Sequence, residues 1–241
     1  MIASRGSFRY AYAVGYLNKA LGENFQAVAP SFRSIGVDGA LLSQIKVEGV
    51  EESKSDYYVT IQMLDDMGVA VGFYDWWHGG RAPHKTDGWY EGNDLIDADN
   101  DVELAKGQGL WVTAVEGAYL VSSGEVLEED VLVELEENFQ MVANPFPAAT
   151  GLSKIKIDGV EESKSDYYVT IQMLDDMGVA VGFYDWWHGG RAPHKTDGWY
   201  EGNDLIDADN DVEIEAGQAL WITAVEGATI TFECPWIATE E

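Results

Sequence analysis

The sequence predicts an all-β protein built from two tandem homologous domains, each a β-sandwich or a partly open barrel. Three observations support this fold class: short alternating apolar and polar segments separated by turn residues, a lack of sustained 3.6-residue periodicity, and a long internal repeat. Only residues 40–45 and 151–155 have the pattern of a single helical turn, which is too short for a stable helix.

The internal repeat defines the predicted domains. Residues 49–103 recur without one change as residues 159–213. Looser similarity extends on both sides of this identical block, pairing residues 107–118 with 217–228 and residues 23–29 with 137–143. A period near 110 residues is too long for a solenoid repeat and suits one small domain. We therefore predict a first β domain with an N-terminal strand extension at residues 1–121 and a second β domain at residues 122–241.

The clearest predicted element is a β-hairpin near the start of the identical block. Residues 57–64 alternate, with Tyr57, Val59, Ile61 and Met63 on one face, and residues 69–76 resume strand character. Gly68 in the turn between them is free to adopt a positive φ. The face that carries Val69, Val71 and Phe73 is predicted to point into the core, which leaves Tyr74 and Trp76 exposed. Further strands are predicted at residues 109–115, 119–126, 131–135 and 139–143.

The charge of the chain excludes two classes of partner. It has 43 acidic and 14 basic side chains, for a formal net charge of −29. Such a field repels polyanions, so no nucleic-acid partner bound through its phosphates is expected, and docking on an anionic membrane surface is disfavoured. No stretch reaches the roughly 20 apolar residues of a membrane helix, so no membrane insertion is predicted.

An acidic segment gives the sharpest local signal for a site. Asp97, Asp99, Asp101 and Glu103 stand at alternate positions, and the second copy repeats them as Asp207, Asp209, Asp211 and Glu213. Carboxylates at this spacing suit oxygen ligation of calcium, and in an extended segment they would share one face at roughly 7 Å intervals. The alternative is a solvated acidic loop, or an edge strand kept from pairing by its charge.

A segment rich in aromatic residues gives a second candidate surface. Its members are Tyr74, Trp76, Trp77 and Trp89, repeated as Tyr184, Trp186, Trp187 and Trp199. Exposed rings of this kind suit either the anchors of a protein interface or stacking on sugar rings. The third interpretation is that residues 77–90 fold back and cover them.

Histidines, the single cysteine and the lack of catalytic motifs narrow the chemistry. His78 and His84, with their copies His188 and His194, are possible zinc donors, but their spacing is not a recognised ligand pattern and surface-loop histidines are the default. Cys234 has no partner for an intramolecular disulfide, which leaves a buried apolar role or an intermolecular disulfide. No nucleophile elbow, P-loop, dinucleotide fingerprint or metalloprotease motif occurs, so we predict that the protein is not an enzyme.

A resemblance adds a setting for the protein. Residues 138–145 (Asn-Phe-Gln-Met-Val-Ala-Asn-Pro), 107–112 (Gly-Gln-Gly-Leu-Trp-Val) and 123–126 (Ser-Gly-Glu-Val) carry it. In this order the motifs resemble tandem β-domains of uncharacterised secreted bacterial surface proteins. The resemblance implies an extracellular or cell-surface location, although residues 1–10 contain no legible leader.

Together these features predict a non-catalytic structural protein that assembles with itself into a filament or surface layer, with calcium as a possible stabilising ion. An aromatic N-terminal segment at residues 8–17, including Tyr10 and Tyr12, precedes the first domain as residues 119–133 precede the second. It is therefore a candidate for strand exchange with a neighbouring copy, or for pairing within its own domain. The alternative function is calcium-dependent carbohydrate binding, with glycans as partners.

Overall fold

The computed structural model describes residues 14–50, 58–65, 68–80, 82–159, 169–175, 178–190, 192–225 and 227–236. Within these residues the chain is all-β, which confirms the predicted fold class. The only helical elements described there are two single 3₁₀ turns, η1 (Leu42–Gln44) and η2 (Leu152–Lys154), at the two places where the sequence predicted a helical turn. The strands form two sets of eleven, which we call the first and second units.

The first unit runs from β1 to β11: β1 (Val14–Ala20), β2 (Asn24–Val28), β3 (Ala40–Leu41), β4 (Lys46–Glu48), β5 (Val59–Leu64), β6 (Ala70–Trp77), β7 (Gly88–Glu91), β8 (Asp94–Leu95), β9 (Glu103–Leu104), β10 (Leu110–Ala114) and β11 (Tyr119–Glu125). Its three sheets have the strand orders β1-β11-β4, β2-β10-β5-β6-β7-β8 and β3-β9. All of the pairings are antiparallel.

The second unit repeats this arrangement with the same sheet orders: β12 (Val131–Glu134), β13 (Asn138–Ala143), β14 (Thr150–Gly151), β15 (Lys156–Asp158), β16 (Val169–Leu174), β17 (Ala180–Trp187), β18 (Gly198–Glu201), β19 (Asp204–Leu205), β20 (Glu213–Ile214), β21 (Ala219–Ala224) and β22 (Thr229–Phe232). The looser similarity of the flanking segments is therefore sufficient for the two units to form equivalent strands outside the identical block as well.

Each unit has its own core between the three-stranded and the six-stranded sheet. In the first unit, Val59 and Ile61 of β5 meet Val47 of β4 and Leu120 of β11 in one buried cluster. The predicted inward face of β5 is thus confirmed at Val59 and Ile61, which have no exposed surface. The equivalent cluster of the second unit includes Val169 and Ile171 of β16. Burial of both sheet faces against each other gives each unit the character of a β-sandwich.

The predicted β5–β6 hairpin forms, but the predicted inward face of β6 is wrong. Gly68 has a φ of +71°, as expected for its turn. Tyr74 and Trp76 point into the core, whereas Val71 is 64% exposed and Phe73 is 53% exposed. The reason is a register shift between Met63 and Leu64. Because of this shift, Ile61 pairs with Tyr74 and not with Phe73. A shift of one residue turns every side chain of a strand to the opposite face.

Residues 119–133 form two strands rather than one strand shared by both units, which confirms the separate strands predicted at residues 119–126 and 131–135. They form β11, which lies between β1 and β4 in the first unit, and the start of β12, which pairs with β22 in the second. The predicted boundary between residues 121 and 122 falls within β11. The predicted N-terminal strand is present from Val14 onward and pairs inside its own unit, while Tyr10 and Tyr12 lie outside the described residues.

The two units contact each other through reciprocal backbone hydrogen bonds. The Ala29 N–H donates to the Gly217 carbonyl at 3.0 Å, and the equivalent Ala143 N–H donates to the Gly107 carbonyl at 2.8 Å. A small apolar cluster that includes Ala29, Ala143 and Ala219 fills the space between the two contacts. Reciprocal contacts between equivalent residues indicate an approximate two-fold relation between the units, as in a homodimer interface.

Candidate functional site

The predicted calcium ligands of the first unit do not share one face, because the acidic segment is not continuously extended. Residues 97–100 form a turn in which the Asp97 carboxylate accepts the Asp99 backbone N–H at 2.9 Å. The Asn100 side chain closes the same turn by accepting the Asp97 N–H at 2.8 Å. Asp97 and Asp99 are therefore exposed at a turn, apart from the strand β9 that carries Glu103.

The other two acidic residues of this segment contact backbone and hydroxyl donors. The Asp101 carboxylate accepts the Ser43 backbone N–H at 3.0 Å and also the Ser43 hydroxyl. The Glu103 carboxylate accepts the Gly39 N–H at 3.0 Å. Both carboxylates thereby hold the η1 region against the acidic segment, a structural role that charge spacing alone did not suggest.

The second unit repeats most of this arrangement. The Asp207 carboxylate accepts the Asp209 N–H at 2.9 Å, and the Asp211 carboxylate accepts the Ser153 N–H at 2.9 Å and the Ser153 hydroxyl at 2.6 Å. Glu213 begins β20 and pairs with Gly151. Across the described parts of both units, no group of three or more His, Cys, Asp or Glu side chains is placed to hold a metal ion. Calcium binding stays a prediction of the sequence.

Most of the predicted aromatic surface lies in the core. Tyr74, Trp76 and Trp89 are buried, and so are their counterparts Tyr184, Trp186 and Trp199, so the predicted exposure of Tyr74 and Trp76 is wrong. The shifted register of β6 turns Tyr74 and Trp76 inward, and the Trp89 indole donates to the Ile45 carbonyl at 2.7 Å. Burial, and next the nearby Glu91 carboxylate, raises the pKa of Tyr74, which keeps this phenol neutral.

Trp77 and the histidines form a compact aromatic group on the outer side of β6. The Trp77 ring stacks on the His84 imidazole with centroids 4.1 Å apart, and Tyr90 meets the same imidazole edge-on at 4.4 Å. His84 is buried there with its Nε2 atom 3.2 Å from the Gly92 carbonyl oxygen, rather than lying in an open loop. His78 instead pairs with Asp87 at 3.4 Å. Trp187, His188 and His194 repeat this packing, so the two predicted zinc donors of each copy do not converge.

Cys234 packs in the core of the second unit. Its side chain is buried and its Sγ atom lies 3.8 Å from the Leu127 carbonyl oxygen. This burial confirms the predicted apolar role, and it removes the access that an intermolecular disulfide needs.

Exposed apolar side chains instead project from the β5–β6 hairpin. We call Val69, Val71 and Phe73 the first hairpin face, and the equivalent Val179, Val181 and Phe183 the second hairpin face. All six side chains are more than half exposed. Contiguous apolar residues on a folded surface mark sites of interaction more often than chance.

A cleft of about 430 Å³ lies between the two units, beside the hairpin faces. Each unit supplies the same five positions, which in the first unit are Gln62, Leu64, Gly68, Ala70 and Trp111. None of these side chains, and none of their counterparts, carries a charge. The volume is within the range of ordinary ligand sites, roughly 300 to 1,000 Å³.

The two indoles that line the cleft contact each other across the two units. Trp111 and Trp221 meet edge to face with their centroids 6.0 Å apart, and Phe25 stacks on Trp111 at 5.6 Å. Gly178 of the second unit lies beside Trp111, and Gly68 of the first unit lies beside Trp221. None of these residues was predicted from the sequence to belong to a site. An outward-facing Trp at an alternate position of β10 was the signal that would have found them.

One ion pair also joins the units, at residues that do not line this cleft. The Lys19 ammonium lies 2.8 Å from the Glu215 carboxylate, and its hydrogen bond and positive charge lower the pKa of Glu215. The first copy has Ala105 where the second has Glu215, so this contact has no two-fold equivalent.

No helix among the described residues is long and apolar enough to cross a membrane. Comparison of the chain with protein-family models, curated proteins and solved structures finds no match. The geometry of the cleft and of the hairpin faces is therefore the main guide to function.

Proposed function

We propose that this chain is a non-catalytic structural protein that associates with further copies of itself through its two hairpin faces. The observation that carries this proposal is the pair of exposed apolar faces, identical in sequence and present once in each unit. An extracellular or cell-surface assembly, such as a filament or a surface layer, is the setting that we favour from the sequence resemblance.

The duplication supports assembly more than it supports catalysis. Two equivalent faces make each chain bivalent, and contacts between bivalent subunits continue into a polymer unless the geometry closes them. A second copy of the same catalytic site would add no new contact surface. The outward direction of Val71 and Phe73 is fixed by the bulge in the hairpin, which both units contain.

The strength of one such contact is limited. Burying a half-exposed Val or Phe contributes about 1 kcal/mol of favourable free energy, so a contact between two hairpin faces, which buries six such residues, contributes about 6 kcal/mol. This gain is at the lower end of the free-energy cost of association. The net charge of −29 opposes the approach of a second copy. We therefore expect association to be weak at low ionic strength and to strengthen with salt, which screens the charge and favours apolar burial.

Sedimentation velocity of the purified chain tests this proposal. The wild-type protein is expected to shift toward larger species between about 0.1 M and about 1 M salt, where the Debye length falls from ~10 Å to ~3 Å. Replacing Val71→Lys together with Val181→Lys should abolish the shift. The matched control is Asn93→Lys with Asn203→Lys, which adds the same charges at exposed turns away from the hairpin faces. A wild-type chain that stays monomeric across this range would refute the proposal, as would a double Val→Lys variant that still associates.

A further inference from the structure

We propose that the cleft between the two units binds a neutral, linear oligosaccharide. This inference goes beyond self-association, because it concerns the monomer and a cleft that is lined by none of the hairpin-face residues. The side chains beside the cleft include Phe73 and Phe183 of those faces. It also differs from the predicted sugar site on the Trp-rich segment, whose rings are mostly buried.

The cleft leaves four polar side-chain groups available to a ligand. Gln62, Gln172, Trp111 and Trp221 line the cleft, and within the described residues the carboxamides of the two glutamines and the indole N–H groups of the two tryptophans have no hydrogen-bond partner. The indoles of Trp89, Trp199 and Trp236 each donate to a backbone carbonyl at 2.7–2.8 Å, whereas the indole N–H groups of Trp76 and Trp186 are buried without a partner among the described residues. Four unpartnered polar groups around one cleft are suited to a ligand that is rich in hydroxyl groups.

Rings and amides alternate across the six-stranded sheet of each unit. In the first unit Trp111 pairs with Gln62, and Gln62 pairs with Phe73, so the three lie side by side on adjacent strands. Neighbouring strands are about 4.8 Å apart, which puts the two rings about 10 Å from each other with an amide between them. The second unit repeats the row as Trp221, Gln172 and Phe183.

This alternation of ring and amide matches the chemistry of a sugar chain. The C–H face of a pyranose ring packs on an apolar or aromatic side chain, while its equatorial hydroxyls exchange hydrogen bonds with amide and indole groups. The two indoles lie 6.0 Å apart, so the two rows meet where the units meet. A linear chain of several rings is therefore expected to contact both units.

The charge of the cleft and of the whole chain favours a neutral glycan as the ligand. None of the side chains that line the cleft is ionised, and the chain as a whole carries −29. An anionic polysaccharide would be repelled by this field. A cationic peptide would be attracted to it from a distance, but would find no carboxylate among the lining side chains.

Isothermal titration calorimetry on the monomer at low salt tests the proposal. The probes are cellohexaose, xylohexaose and mannohexaose as neutral chains, hexagalacturonate as the anionic chain, and a cationic proline-rich peptide. At least one neutral hexasaccharide is expected to bind. Gln62→Ala with Gln172→Ala should weaken that binding by at least about tenfold, the factor that 1.4 kcal/mol represents.

Matched variants separate the cleft from the rest of the surface. Asn93→Ala with Asn203→Ala removes two exposed amides elsewhere and should leave the affinity unchanged. Val71→Lys with Val181→Lys should also retain binding, so loss of self-association and loss of glycan binding are distinguishable. Failure of all three neutral chains to bind would overturn the proposal. So would binding that the double Gln→Ala variant leaves intact, or selective binding of the anionic chain or the peptide.

Discussion

Replacing Trp89 by Phe, and separately Trp199 by Phe, removes the same buried hydrogen bond from each unit. Both indoles are 1% exposed, and their N–H groups donate to the Ile45 and Ile155 carbonyls at 2.7 and 2.8 Å. An unpaired buried carbonyl costs about 1–3 kcal/mol, and the space left by the smaller ring adds about 1 kcal/mol. Each substitution should therefore lower the free energy of unfolding by about 2–4 kcal/mol, a large part of the usual 5–15 kcal/mol.

The duplication supplies an internal replicate for this measurement. The two indoles sit in identical blocks, but their surroundings differ where Leu104 and Val112 become Ile214 and Ile222. These exchanges conserve or slightly change volume, so the two costs should agree within about 1 kcal/mol. Urea denaturation followed by circular dichroism measures both.

A surface indole is the control for the Trp89 and Trp199 substitutions. Trp236 donates to the Leu127 carbonyl at 2.7 Å but is 44% exposed, so water can replace its hydrogen bond. Trp236→Phe should cost less than about 1 kcal/mol. The reasoning would be refuted by a cost below about 1 kcal/mol at Trp89 or Trp199, or by a cost at Trp236 that equals theirs.

Two further predictions concern ions and pH. If the acidic segments bind calcium, the free energy of unfolding measured by thermal melting should rise by about 2.7 kcal/mol at a calcium concentration 100 times the Kd, relative to EDTA. Replacing Asp97→Asn together with Asp207→Asn should reduce this gain. Magnesium is the second control, and identical melting in calcium and in EDTA would contradict the prediction. Because Lys19 lowers the folded-state pKa of Glu215, their ion pair stabilises the protein at neutral pH, and this contribution is lost as the pH falls through that lowered value. Glu215 is 66% exposed, so a double-mutant cycle with Lys19→Met and Glu215→Gln should give a coupling free energy below about 1 kcal/mol at pH 7. This coupling should vanish in acid. A coupling that persists in acid would show that the contact is not ionic.

The strands of the fold could be predicted from the sequence, but the outward face of the hairpin could not. Strands β5 and β10 carry a clear alternation, and Val59, Ile61 and Val112 are buried as that alternation indicates. Strand β6 is apolar on both faces, with Val71 and Phe73 on one and Tyr74 and Trp76 on the other. Periodicity cannot choose between two apolar faces, and a single-residue bulge made the choice.

The acidic segment shows a related limit of sequence reasoning. Carboxylate spacing at Asp97, Asp99 and Asp101 is the same whether the backbone is extended or turned. Asn100 decides the outcome, because its side chain bonds the Asp97 N–H and the Leu95 carbonyl and so favours the turn. The cleft could not be located from the sequence, because it exists only where the two units meet.

The pairing of β1 with β11 has a consequence for how the chain is made. The first strand of each unit hydrogen-bonds to its last strand, Val14 to Glu125 in the register of the first unit and Val131 to Phe232 in that of the second. During synthesis on the ribosome, neither unit can complete its three-stranded sheet until nearly all of its own residues have been synthesised. Such distant pairings give a high contact order and slow closure. A truncated first unit should therefore end in residues 126–130, because a stop at residue 121 would remove most of the strand that completes it.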